Sequence, residues 1–176
     1  LNLTIHDYDE PIANHIIDAE ISGNTLIISA KIQGIEFYDI SIPTSLNHLS
    51  HFTLSEGGGG GTKSNYVTSF GEIAFFSSNN GVYIVDISNP TNPDNLGRIS
   101  GTNGLILEDL KTFNDIMAVC AHEDGVRLYD ISNPNNPIFL SIIPADNAWT
   151  VGLVVDYIYI GDNSNILVVN ITDINN

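Results

Sequence analysis

Three oxygen-bearing side chains and one indole recur along this sequence at a regular interval. Asp18, Asn65, Asp109 and Trp149 stand 47, 44 and 40 residues apart. Two carboxylates and an amide brought to one point can hold a hard cation such as Ca2+ through oxygen. Asp18 and Asp109 are also the pair on which a metal-dependent hydrolase or lyase would have to be built. The competing expectation is a solvated channel lip with Trp149 as its plug. Asp7-Tyr8-Asp9-Glu10 lacks the remaining ligand positions of a calcium loop.

A second acidic set, Asp39, Asp86 and Asp130, has Asn170 as its fourth member. Each of these residues precedes a turn, where a short side-chain oxygen accepts backbone N–H bonds, so the set reads as structural. The histidines His6, His15, His48, His51 and His122 show no ligand spacing, and His48 and His51, three apart, fall on opposite faces of a regular strand. Cys120, the only cysteine, sits in the apolar run Met117-Ala118-Val119-Cys120-Ala121 and reads as a small core residue. Neither a G-x-S-x-G elbow nor a Cys–His pairing is visible. Gly57 to Gly61 is followed by Gly61-Thr62-Lys63, the wrong order for a phosphate-binding loop, and reads as an inter-blade insertion. Asn2-Leu3-Thr4 and Asn170-Ile171-Thr172 fit the N-glycosylation triplet, which makes Asn2 and Asn170 acceptor candidates in an exported chain.

The elements that must position these residues are strands. Gly34-Ile35-Glu36-Phe37-Tyr38-Asp39-Ile40-Ser41, Gly81-Val82-Tyr83-Ile84-Val85-Asp86-Ile87-Ser88 and Gly125-Val126-Arg127-Leu128-Tyr129-Asp130-Ile131-Ser132 are copies of one motif. Asn165-Ile166-Leu167-Val168-Val169-Asn170-Ile171-Thr172 is a weaker fourth. A period of roughly 40–50 residues with only strands inside each unit points to propeller blades. Polar stretches such as Asn79-Asn80-Gly81 and Glu123-Asp124-Gly125 punctuate hairpins. The following strand is apolar on both faces, as an inner blade strand must be. Ser88-Asn89-Pro90 and Ser132-Asn133-Pro134 then break the pairing before an outer strand.

The runs VYIVDISNPTNP and VRLYDISNPNNP resemble the LVIVD repeat, a propeller-blade family found mainly in bacterial and archaeal surface or secreted proteins. The resemblance covers essentially the whole chain. The first copy departs from it at Ile42-Pro43, and the last replaces the motif Asp with Asn170. It implies a propeller fold and an extracellular setting, and no defined activity.

The expected fold is therefore all-β: one β-propeller domain over residues 1–176, with blade repeats at about 13–55, 62–100, 105–144 and 147–176 plus 1–8. The register of the ends suggests that the N-terminal strand, Leu1 to Tyr8, completes the last blade. It would do so in its own ring or, by strand addition, in a neighbouring molecule. Because the chain begins with Leu1 rather than Met, it is expected to be a processed or trimmed piece, and excision from a larger propeller is a third expectation.

With 176 residues, 43% apolar and 15% charged, the chain is long enough and apolar enough for a real core. Its 21 acidic and 5 basic side chains give a net charge of −16, which repels nucleic acid and anionic membrane surfaces. No stretch has the length of a transmembrane helix, and none of these residues reads as a signal peptide. These features together point to a non-enzymatic extracellular or cell-surface module that binds a protein or carbohydrate partner or ligand in its axial channel. The alternatives are a filament or array subunit assembled by strand donation, and a metal-dependent enzyme using the channel.

Overall fold

The computed structural model describes residues 4, 15–31, 34–54, 64–172 and 174. These form strands and turns, with no helix among them. The first antiparallel sheet comprises β1 (Asp18–Ser22), β2 (Thr25–Ser29), β3 (Ile35–Asp39) and β4 (Asn47–Phe52). The second comprises β5 (Ser64–Phe70), β6 (Ile73–Ser78), β7 (Gly81–Asp86) and β8 (Asp94–Arg98). The third comprises β9 (Leu110–Phe113), β10 (Ile116–Cys120), β11 (Val126–Asp130) and β12 (Ile138–Ile143). The fourth has β13 (Ala148–Val154), β14 (Tyr157–Asp162) and β15 (Asn165–Asn170). Leu1 to Tyr8, expected to complete that sheet, lies apart from Thr4 outside the described residues, as do Gly57 to Gly61.

Each sheet is a meander in which sequence neighbours pair, as hairpin turns require. The four motif copies fall on the third strand of each sheet, and each copy's Asp or Asn closes it. Asp39, Asp86, Asp130 and Asn170 accept the backbone N–H of Ser41, Ser88, Ser132 and Thr172, all at 2.8 Å. These are Asx turns, and Asn170 makes the bond as well as its three acidic counterparts because the turn needs an oxygen and not a charge.

Three apolar cores join the sheets in sequence. Ile27, Ile35 and Phe37 pack against Val67, Ala74, Phe76 and Tyr83 between sheets one and two. Phe75, Val82 and Ile84 pack against Leu110, Met117 and Val119 between sheets two and three. Ala118, Cys120, Val126 and Leu128 pack against Val151, Ile158 and Ile160 between sheets three and four. A fully buried side chain of this kind contributes about 1.5–3 kcal/mol. Strands with both faces buried, such as β6 and β7, are the ones that read as apolar throughout. No core joins the fourth sheet to the first among the described residues, so the four blades form an open arc.

A bulge recurs in each of the three outer strands among the described residues. Pairing shifts between Phe37 and Tyr38, Ile84 and Val85, and Leu128 and Tyr129, leaving Leu49, Leu96 and Leu140 as the extra residues. One consequence overturns a reading made from spacing alone. The bulge at Leu49 turns His48 and His51 onto the same face, where both reach Glu36.

Candidate functional site

Among the described residues, the innermost strands and the loops that feed them hold the sequence candidates. Asp18 opens β1, and its Oδ2 accepts the Val67 N–H of β5 at 3.0 Å, while Oδ1 accepts the N–H of Ala19 at 2.9 Å. Asp109 directly precedes β9 and is 7% exposed. Its Oδ2 accepts the Val151 N–H of β13 at 3.1 Å and the Thr150 hydroxyl at 2.8 Å, and Oδ1 lies 3.6 Å from Lys111 Nζ. Three of the four carboxylate oxygens thus accept hydrogen bonds and the fourth, Asp109 Oδ1, faces Lys111 as an ion pair, and each residue ties its sheet to the next. Among the described residues, no three His, Cys, Asp or Glu side chains converge on a point where a metal ion would fit.

Asn65 and Trp149 do not occupy the register of the two aspartates. Pairing shifts between Ser64 and Val67 in β5 and between Ala148 and Thr150 in β13, so Asn65 and Trp149 sit in bulges of their inner strands. Asn65 faces a cavity of about 450 Å3 shared with Lys31, Tyr66, Ser78, Leu107 and Glu108. Burial raises the Tyr66 phenol above its ordinary value, and the negative charges of Glu108, Asp109 and Asp18 add to the shift. Glu108 and Lys31 are the charged side chains that line the cavity. Trp149, 47% exposed, meets His122 edge-on at 4.5 Å between ring centroids. His122 Nε2 in turn lies 4.0 Å from Glu108 Oε1. Glu108 and His122 thereby link the cavity to the indole. Spacing alone passes over Tyr66 and Glu108 and sets His122 aside as lacking ligand spacing, and Tyr66 shares the β5 bulge with Asn65.

A second polar cluster lies on the first sheet. Glu36, 8% exposed, accepts from His48 Nε2 at 2.8 Å and from His51 Nδ1 at 2.7 Å. Tyr38 packs edge-on against His48. Cys120 is fully buried, and desolvation, followed by the Asp109 and Glu108 charges, pushes its thiol far above the ordinary range, so it is no nucleophile. Asn170 is exposed and turned back on Thr172, whereas Asn2 and His6 lie outside the described residues.

Comparison with known proteins agrees with this architecture. Residues 66–100 match the family model of the LVIVD repeat. No curated protein matches the chain. Among solved structures, the computationally designed Ika4 protein is similar at a TM-score of 0.70 and 13% identity, over 97% of this chain and 99% of that one. BamB from Moraxella catarrhalis is similar at a TM-score of 0.65 and 12% identity, over 85% of this chain and 42% of that one. Hsv2 from Kluyveromyces lactis gives 0.60 and 16%, over 92% and 47%. The chain thus spans the whole of one designed relative and less than half of the longer ones. Four repeated meander sheets give this chain a β-propeller fold, and its second sheet carries an LVIVD repeat at residues 66–100.

Proposed function

We propose that this protein is a non-enzymatic binding module, exposed outside the cell or on its surface, whose ligand seat is the cavity at Asn65, Tyr66 and Glu108. The observation that carries the reading is the cavity itself. Its volume of about 450 Å3 lies in the range of small-ligand pockets, and its lining combines apolar Leu107 with an amide, a phenol, a cation and a carboxylate. Such a lining suits a neutral, hydroxyl-rich ligand of saccharide size, with donors for Glu108 and acceptors for Lys31 and Asn65. The setting rests on the repeat, whose known members are mainly surface or secreted proteins.

The engagement of Asp18 and Asp109 weighs against a Ca2+ site or an enzyme on those residues, because a cation there would have to displace backbone donors. The test is calorimetric titration of the protein with a panel of soluble mono- and disaccharides, repeated on Asn65→Ala and Glu108→Ala. Binding that weakens at least tenfold in both variants is the expected result. No saccharide binding, or binding indifferent to both substitutions, would sink the proposal.

A strand-donated filament or array is the second reading, favoured by one feature. A groove of about 630 Å3 is lined by Leu128, Ser141 and Ile143 of the third sheet and by Val169, Asn170, Ile171, Thr172 and Ile174, and β15 is an edge strand among the described residues. An unpaired edge beside a groove is what an added strand occupies. Polymers lost on deletion of Leu1 to Tyr8 would support this reading.

A further inference from the structure

Each interior junction of the arc joins two kinds of face. In sheet two, Ile73, Phe75, Val82 and Ile84 look forward and are buried against sheet three. Strand pairing puts Tyr157, Tyr159, Ile166 and Val168 at those same positions in sheet four. There they are bare, Tyr159 being 45% and Ile166 75% exposed. The opposite end of the arc shows the other kind of face. Ala74 and Phe76 look backward from sheet two and are buried against sheet one. Their counterparts Leu26 and Ile28 in sheet one are only half-buried, and neighbouring Ile21 is 61% exposed.

We propose that the forward face of sheet four docks on the backward face of sheet one in a second copy of this chain, reciprocally, so that two chains close one ring of eight sheets. Two arguments name a second copy as the occupant. The exposed forward face of sheet four and the half-buried backward face of sheet one stand at the positions that meet at the three interior junctions, with Tyr38 and Glu36 in sheet one where sheet two has Val85 and Tyr83, so the new contact continues an interface the fold has made three times. Head-to-tail contacts that close after two copies satisfy a two-fold axis and leave no free face. The charge of −16 on each copy opposes association, so salt should strengthen the pairing by screening.

The test is sedimentation velocity on the full chain over a range of concentration and salt, with Val168→Lys and Ile21→Lys as face variants. Both positions are exposed in the single chain, so neither change touches its core. The expected wild type runs at twice the 19.1 kDa chain mass, more completely at high salt, and each variant runs as a single chain. A wild type of single mass throughout, a species heavier than two copies, or a dimer that survives both variants overturns the proposal. A second measurement settles which molecule supplies the face. Leu26→Cys combined with Tyr159→Cys should give a covalent dimer on oxidation, since Cys120 is buried and does not compete. An internal cross-link at single mass would mean that the ring closes on itself, against the proposal.

Discussion

The Asp109 carboxylate crosses from the third sheet to the fourth and accepts the Val151 N–H at 3.1 Å, as Asp18 does for Val67 between the first and second. Innermost strands of neighbouring blades share no ladder, so Val67 and Val151 take side-chain acceptors, whereas the Ser64 and Ala148 N–H groups reach the Lys31 and His122 carbonyls. Asp109→Ala should therefore destabilise the fold by about 1–3 kcal/mol, the cost of a buried donor left unpaired. Asp18 is half-buried, and its loss should cost about 1 kcal/mol because water can replace the acceptor. Urea unfolding of the two variants checks the order. Equal effects would contradict the burial difference.

Gly125 (φ +76°) and Gly71 (φ +61°) both adopt left-handed backbone but differ in what surrounds them. A Cβ on Gly71 meets open space, whereas one on Gly125 would press on the Ile143 carbonyl oxygen and crowd the Ala145 nitrogen. Gly71→Ala should cost about 1–2 kcal/mol, the price of the left-handed conformation alone. Gly125→Ala adds an overpacking cost of about 1–3 kcal/mol because backbone cannot step aside as a side chain can. Thermal unfolding of both variants reads the difference directly.

Stability in acid should depend on the Asx turns. Hydrogen bonds from the Ser88 side chain and backbone hold Asp86 below its ordinary value, and bonds from the Ser132 backbone and side chain do the same for Asp130. A carboxyl whose folded pKa is depressed adds stability above its unfolded pKa, and that stability is lost as pH falls through the folded one. The contribution should therefore fade below about pH 4, and it is small because both groups are exposed. Asn170 shows that an amide closes the same turn. The double variant Asp86→Asn and Asp130→Asn should accordingly keep its neutral stability and lose less of it in acid, as followed by circular dichroism.

The parts of this molecule legible in its sequence are those set by residue type. Asp or Asn before Ser or Thr announces the turn wherever it stands, and Gly-Val-x-Ile-Val announces a strand buried on both faces, so the blade count follows from four motif copies. Bulges carry no such mark. Leu49, Leu96 and Leu140 are ordinary apolar residues in ordinary strands, yet each slips the register by one and decides which side chains share a face. That slip joins His48 to His51, and a similar one in β5 and β13 separates Asn65 and Trp149 from the register of Asp18 and Asp109. The open junction was illegible for another reason: Tyr159 and Val168 have the apolar character of buried blade residues, and only the missing neighbour distinguishes them from Phe75 and Ile84.

Cys120 offers a clock for unfolding. Its thiol is buried and its deprotonation is opposed by desolvation and by the Asp109 and Glu108 charges. A thiol reagent should modify it only through opening of the junction between the third and fourth sheets. Labelling should therefore accelerate in Asp109→Ala in proportion to the stability lost. Rapid labelling of the native wild type would show that this junction breathes on its own.

Trp149, the sole tryptophan, reports on the cavity through His122. The edge-on contact between the rings is half open to water and should be worth about 0.5–1.5 kcal/mol at most. His122→Ala removes both the contact and the link to Glu108, so the indole emission should shift to the red and become more accessible to acrylamide, with little change in overall stability. A ligand that engages Glu108 should perturb the emission of the wild type and leave that of His122→Ala nearly unchanged, because the signal passes through the imidazole. Equal responses in the two proteins would mean that the ligand touches Trp149 directly, and the seat would then lie on the outer side of β13 rather than in the cavity at Asn65.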